Sequence, residues 1–219
     1  MGGREKRLQK ILQEANPQVV LLAGNIKPTH NAENRRVHRL LGEFLNPLPA
    51  PDGVYAVRGY RDRKRFWEEL PEGSRIELLS NSSAEIRRGS ARLVLVGVQT
   101  AHACHLDRGQ NQLRETLTKA PAGGFRILLG QSGDLLRIAQ GHPIDLVLAG
   151  DNLHAQIRIP GIGVLRRDTK VPLRWERGWI EEGGLRMHLS AGVGTRWLPF
   201  RFFLRPEVSI IEIFPSPSE

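Results

Sequence analysis

Apolar runs and helical periodicities alternate along the first two thirds of the chain. Apolar positions three and four residues apart predict amphipathic helices at residues 4–14 and 31–45. Continuous apolar runs that end at glycine or polar residues predict buried strands. We predict these strands at residues 19–23, 54–57, 76–78, 84–86, 93–96, 125–129 and 144–148, and further helices at 66–70, 113–119 and 134–140. The remainder is rich in strands and turns and ends in a predicted strand at 208–213. This order predicts one α/β domain over residues 1–214 and a frayed tail at 215–219.

Composition bounds the class of protein. A chain of 219 residues with 40% hydrophobic content can bury one substantial core, and its 25% of charged residues is the ordinary globular value. The formal net charge of +9 is unusual, and most of the 32 basic residues are arginine, the better bidentate partner for phosphate. Two interpretations stay open: an anionic partner, or solvated surface charge.

Compartment and membrane signals are weak along the whole sequence. Cys104 is the single cysteine, so no internal disulfide is available and a reducing compartment is favoured. Residues 1–10 are charged and lack the apolar core of a signal peptide. No apolar run is long enough for a transmembrane helix. We therefore expect a soluble, cytoplasmic protein.

Several strand ends resemble motifs of the calcineurin-like metallophosphoesterases. Residues 17–25, ending in Ala-Gly-Asn, resemble the family strand that ends in Thr-Gly-Asp, and residues 51–62 resemble the strand that ends in Gly-Asn-His-Asp. Residues 125–132 are similar to the strand ending in Leu-x-His-Ser, and 145–158 to the segment Gly-His-x-His-Gly-Gly-Gln. The most distinctive pieces, 156–163 and 192–207, resemble a bacterial branch that includes membrane-associated and lipid-processing phosphoesterases.

The resemblance implies a two-sheet α/β/β/α sandwich with a dinuclear metal site at the strand ends. Such a site polarises a phosphoryl group and supplies the nucleophilic hydroxide. In this sequence, however, the corresponding positions hold Asn25, Tyr60, Arg61, Gln131, Asp151 and Leu153. A leucine cannot bind a metal, and a neutral amide is a poor ligand. Only the final Asp of the second motif is kept, as Asp62, and that residue is not a ligand in the family. We therefore predict a degenerate site that binds no metal cofactor.

Two features qualify this prediction. His154 stands one residue past a lost histidine, so a shift of register would let Asp151 and His154 hold one metal; the alternative is a polar loop residue that never contacts metal. The family's opening Asp-x-His strand has no counterpart in this sequence. Its absence predicts an open sheet edge, closed by neighbouring strands or by a strand from a partner; the alternative is a truncated gene.

A basic patch formed by Arg58, Arg61, Arg63, Lys64 and Arg65 lies where the family has a metal-binding loop. Guanidinium groups in place of metals would keep affinity for phosphate without a nucleophile. We expect a ligand site formed by Arg61 with Asn25, Tyr60 and Gln131. Tyr60, Phe66 and Trp67 interleave with the basic residues, which is typical of single-stranded nucleic-acid surfaces. The alternative is a solvated helix start whose Trp67 and Leu70 pack inward.

Together these observations predict a catalytically inactive phosphoesterase-like protein. Its function would be to bind an anionic ligand or a protein partner as a binding or scaffold protein. Two alternatives remain: a residual metal-dependent phosphoesterase with a site rebuilt around Asp151 and His154, and a nucleic-acid-binding protein that uses the basic patch.

Overall fold

The computed structural model describes residues 3–26, 33–60, 62–99, 106–150, 157–160, 162–164, 172, 175, 177–195 and 200–214. The helices are α1 (Gly3–Ala15), α2 (Asn34–Leu45), α3 (Lys64–Glu68), α4 (Leu106–Lys119) and α5 (Leu135–Ala139). The strands are β1 (Val20–Leu22), β2 (Val54–Ala56), β3 (Ile76–Leu78), β4 (Ser82–Arg88), β5 (Ala91–Gly97), β6 (Phe125–Gly130), β7 (Leu146–Ala149), β8 (Arg158–Ile159), β9 (Gly163–Val164), β10 (Gly178–Glu182) and β11 (Leu185–Leu189).

Two sheets form the centre of the molecule. The first sheet contains three parallel strands in the order β1-β2-β3. The second contains six strands in the order β10-β11-β7-β6-β5-β4, of which β11, β7, β6 and β5 are mutually parallel. The antiparallel neighbours β10 and β4 close its two sides, and β8 and β9 form a separate short hairpin. Parallel strands of this kind require cover on both faces.

The side chains of β5 show how that cover is arranged. Successive side chains of a strand point to opposite faces. Leu95 lies in a core cluster with Tyr55, Val57 and Leu79, so this cluster fills the space between the two sheets. Val94 lies in another cluster with residues of α4 and α5. The outer face of the first sheet packs against α2 and α3. The layers are therefore helix, sheet, sheet and helix, which confirms the predicted α/β/β/α sandwich.

The prediction of a last strand at residues 208–213 is wrong. These residues form neither helix nor turn, and no described residue pairs with them in a sheet. An apolar, β-branched sequence is necessary for a strand but not sufficient, because a strand also needs a neighbour with free peptide groups. The predicted tail at 215–219 lies outside the described residues. In the described part of the chain, no helix has both the length and the apolar character needed to cross a membrane.

Arg75 holds the end of α2 against the first sheet. Its guanidinium donates hydrogen bonds to five backbone carbonyls, those of Leu45, Asn46, Leu48, Pro49 and Ala50, at 2.9–3.3 Å. The last carbonyls of a helix have no partner within the helix, so an external donor stabilises them. The same turn carries Leu45 and Leu48 into a buried cluster with Val54 of β2.

Arg75→Ala is expected to lower the free energy of unfolding by about 2 kcal/mol, because several carbonyls lose a charged donor. Urea denaturation of both proteins measures the difference. Arg87→Ala is the matched control, since the Arg87 side chain is 65% exposed and forms a surface ion pair with Glu85. Equal losses in the two variants would contradict the capping role of Arg75.

Candidate functional site at the strand ends

The loops that follow β1, β2 and β6 meet at one edge of the sandwich. A β-carbon built on Gly59 would lie 2.2 Å from the Asn25 backbone nitrogen and 2.4 Å from Asn25 Oδ1. A β-carbon built on Gly24 would lie 2.8 Å from Gly59 Cα and 3.4 Å from Gln131 Cβ. The loops can therefore come this close only because residues 24 and 59 have no side chain. The structure therefore brings together Asn25, Tyr60 and Gln131, three of the residues predicted to form the ligand site.

Gln131 connects two of these loops directly. The backbone N–H of Tyr60 donates a hydrogen bond to Gln131 Oε1. Gln131 is buried, while the Tyr60 side chain is 46% exposed. The amide oxygen that stands at the family's histidine position thus accepts a hydrogen bond from the protein itself, and the phenol of Tyr60 faces solvent.

Asp62 shapes the loop after β2. Its Oδ2 accepts a hydrogen bond from the Gly59 N–H at 3.0 Å, and its own N–H donates to the Gly59 carbonyl at 3.0 Å. The side chain is buried. A buried carboxylate held by a peptide donor is a structural element of the loop. This contact accounts for an aspartate at position 62 without any metal.

Arg58 provides a half-buried cation at the same edge, and its partner was not predicted from the sequence. Arg58 Nη2 donates to Gln99 Oε1 at 3.2 Å, joining the segment after β2 to the segment after β5 in the other sheet. Gln99 is itself held, because its N–H donates to Asn81 Oδ1 at 3.0 Å and its side-chain amide to Ser80 Oγ. The position of Gln99 could have indicated this contact, because Gln99 lies two residues after the end of β5, as Arg58 lies two residues after the end of β2.

The end of β7 reaches this edge as well. A β-carbon on Gly150 would lie 3.0 Å from both Ala23 Cβ and the Ala23 carbonyl oxygen, and the Gly150 N–H donates to Gly130 O at 3.2 Å. Gly150 therefore lies beside the end of β1. The predicted site residues Arg61, Asp151 and His154 lie outside the described residues, as do Leu153 and Cys104.

The basic patch is divided between the strand ends and helix α3. Lys64 pairs with Glu68 at 2.9 Å and Arg65 with Glu69 at 2.5 Å, both on the exposed surface of the helix. Hydrogen bonds from Asn34 and Arg65 lower the pKa of Glu69, which keeps this carboxylate ionised beside the arginine. Arg63 is exposed and precedes the helix.

Two of the three aromatic residues beside the basic patch, Phe66 and Trp67, are buried and not available for base stacking. Phe66 and Trp67 are 0% and 5% exposed, and they pack edge to face with ring centroids 5.3 Å apart. Leu70 packs against the same cluster. The structure thus agrees with the alternative in which Trp67 and Leu70 pack inward. Among Tyr60, Phe66 and Trp67, only Tyr60 presents its ring to solvent.

The donor set of the described residues does not fit a dinuclear metal centre. Asn25, Tyr60 and Gln131 are neutral, and Gln131 Oε1 already accepts a hydrogen bond from Tyr60. Two divalent cations at close range need anionic or imidazole ligands to offset their repulsion. Within the described ranges, no three His, Cys, Asp or Glu side chains are grouped in a way that could hold a metal ion.

Two face-to-face sheets with polar loops gathered at their strand ends form a sandwich of the metallophosphoesterase type, a fold that the chain shares with solved structures. The uncharacterized metallophosphoesterase YkuE of Bacillus subtilis (strain 168) is 22% identical over 205 residues, which cover 92% of this chain and 70% of YkuE. No protein-family model matches the chain.

Solved structures share the fold. The sulfate thiohydrolase SoxB of Thermus thermophilus has a TM-score of 0.52 at 17% identity, over 89% of this chain and 38% of SoxB. A putative 5'-nucleotidase from Staphylococcus aureus has a TM-score of 0.52 at 8% identity, over 88% of this chain and 42% of the nucleotidase. The chain thus spans less than half the length of each solved chain. Its fold is that of the metallophosphoesterases, and the resemblance predicted from the sequence is confirmed.

Proposed function

We propose that this protein is a non-catalytic binding protein that holds a phosphate-bearing anion at the strand-end site. The observation that carries the proposal is the replacement of metal-binding side chains by neutral amides beside one half-buried cation, Arg58. Amides and guanidinium groups are hydrogen-bond donors to phosphate oxygens, whereas they do not generate a nucleophilic hydroxide. Arg61, Asp151 and His154, which stand at sequence positions that resemble the family motifs, would complete the site.

The geometry supports a prepared site, since the loops are held together before any ligand arrives. Gly59 packs on Asn25, Tyr60 is bonded to Gln131, and Arg58 is bonded to Gln99. A guanidinium that is held in place loses less conformational freedom on binding, which favours affinity for a small anion. The formal net charge of +9 favours the approach of anions generally.

A residual phosphoesterase is the second candidate, and one contact favours it. Gly150 lies against Ala23, so the end of β7 reaches the same edge of the sandwich as the end of β1. The name of the similar protein YkuE, a metallophosphoesterase, points the same way. In this candidate Asp151 and His154 would supply the ligands of a rebuilt site. Nucleic-acid binding through the basic patch is a third candidate, now without stacking support from Phe66 and Trp67.

Arg58→Gln is expected to weaken the binding of inorganic phosphate or bis(p-nitrophenyl) phosphate by about tenfold, because a charged hydrogen bond is lost. Isothermal titration calorimetry on the full chain measures the affinity. Arg87→Gln removes an equal charge from an exposed strand residue and is expected to leave the affinity unchanged. Equal weakening in both variants would show that net charge alone attracts the anion, and the proposed site would be wrong.

Elemental analysis after incubation with manganese separates the two leading candidates. The binding protein is expected to retain much less than one metal per chain and to leave bis(p-nitrophenyl) phosphate intact. Stoichiometric metal and hydrolysis, both lost in Asp151→Ala, would overturn the non-catalytic proposal and establish the rebuilt phosphoesterase. A steep salt dependence of oligonucleotide affinity, reduced in Lys64→Gln, would instead support the nucleic-acid candidate.

A further inference from the structure

The outer edge of β1 presents peptide groups that have no partner among the described residues. The inner edge pairs with β2, and beside that pairing hydrogen bonds run from Asp52 N–H to Gln18 O at 2.9 Å, from Val20 N–H to Gly53 O at 3.1 Å and from Val57 N–H to Leu22 O at 3.0 Å. Because peptide groups alternate in direction along a strand, those of Val19, Leu21 and Ala23 face away from β2. In the described part of the chain, β1 has no strand on that side.

This edge is apolar as well as unpaired. Val19, Leu21 and Ala23 direct their side chains into the core between the two sheets. The three residues of β1, Val20–Leu22, are only half-buried, and no strand of the described part of the chain lies on their outer side. Edge strands with these properties pair readily with another extended chain, and natural proteins usually protect them with charged residues, proline or a bulge. Residues 19–23 are Val-Val-Leu-Leu-Ala and contain none of these protections.

Residues 208–214 have a strand-forming sequence but no strand partner among the described residues. Their sequence is Val-Ser-Ile-Ile-Glu-Ile-Phe, rich in β-branched and aromatic residues, and they form neither helix nor turn. The last backbone hydrogen bond before this segment joins the Glu207 N–H to the Gly192 carbonyl, and no described residue bonds to the peptide groups of 208–214. Ile210, Ile213 and Phe214 are 60%, 44% and 76% exposed.

We propose that residues 208–214 of one copy of the chain pair as a strand with the outer edge of β1 in a second copy. Five residues, 209–213, match the length of the open edge at 19–23, so one segment satisfies Val19, Leu21 and Ala23 together. Neither surface has a strand partner among the described residues, and association between copies brings the two into contact. Such strand addition joins main-chain hydrogen bonds to the burial of apolar side chains. It goes beyond the proposed anion site, which lies at the carboxyl end of the same strand.

The test combines oligomeric state with residue-level amide exchange on the full chain. Analytical ultracentrifugation is expected to show reversible self-association of the native protein. Ile210→Glu combined with Ile213→Glu is expected to weaken it by about tenfold or more, because carboxylates would enter an apolar contact. Ile162→Glu is the matched control, since Ile162 is 76% exposed but lies outside the segment. Its association constant is expected to equal that of the native protein.

Amide exchange distinguishes strand addition from any other self-association. The Leu21 amide is expected to exchange quickly in dilute protein and to become protected as the concentration rises. The protection is expected to disappear in the doubly substituted variant and to remain in Ile162→Glu. A monomer at every concentration overturns the proposal, as does association that leaves Leu21 unprotected. Protection of Leu21 that does not depend on concentration would assign the edge to pairing within one chain and also overturn it.

Discussion

Replacing Gly59 with alanine is expected to separate the strand-end loops and destroy the anion site. The new β-carbon would lie 2.2 Å from the Asn25 backbone nitrogen, and 3.0 Å is already closer than real β-carbons approach. The nearest atom belongs to the backbone of Asn25, so the backbone must move. Overpacking of this kind costs about 3 kcal/mol of unfolding free energy. Phosphate affinity is expected to fall at least as far as in Arg58→Gln, because Asn25 and Tyr60 both lose their positions.

The matched control is Gly42→Ala. Gly42 lies inside α2, and a β-carbon there would have Asn46 Nδ2 at 3.9 Å as its nearest neighbour, an ordinary contact. Alanine is the better helix former, so this variant is expected to gain about 0.5–1 kcal/mol. Glycine-to-alanine substitution is thus expected to lower the free energy of unfolding at position 59 and to raise it at position 42. Thermal and urea unfolding measure both; a Gly59→Ala protein as stable as the native chain would mean that the two loops are not in contact.

Phe66→Ala is expected to lower the free energy of unfolding by about 3–5 kcal/mol. We expect no larger effect from truncating any other single side chain of α2 or α3. The Phe66 ring is fully buried, and its centroid lies 4.6 Å from the ring of His38, which is also buried. His38 Nε2 lies 2.9 Å from the Phe66 carbonyl oxygen, so α2 and α3 are joined at this point by packing and by a hydrogen bond. A cavity here loosens both helices.

Phe203→Ala provides the comparison. Phe203 is 66% exposed and contacts mainly Phe202, so its truncation is expected to change stability by less than about 1 kcal/mol. Urea denaturation of the two variants decides whether Phe66 belongs to the core. If Phe66→Ala were as stable as Phe203→Ala and lost affinity for oligonucleotide, Phe66 would be a stacking residue and the nucleic-acid candidate would regain its support.

The period of the hydrophobic pattern was enough to predict most elements. The apolar runs at 19–23 and 125–129 became β1 and β6, because a continuous apolar run suits a strand covered on both faces. The spacing of apolar residues at 31–45 became α2. The prediction at 208–213 failed because strand formation depends on a partner that is distant in sequence. Local pattern contains no information on whether such a partner is present.

The amino-acid sequence by itself determined the layered α/β class, the resemblance to metallophosphoesterases and the identity of the side chains at the strand ends. Only the tertiary structure decided which of them meet. Asn25, Gly59 and Gln131 are far apart in sequence and come together because the carboxyl ends of parallel strands share one edge. Gln99 entered the site in the same way, through its bond to Arg58. Phe66 and Trp67 are buried because they pack against α2 and the first sheet. The local sequence pattern does not contain that contact.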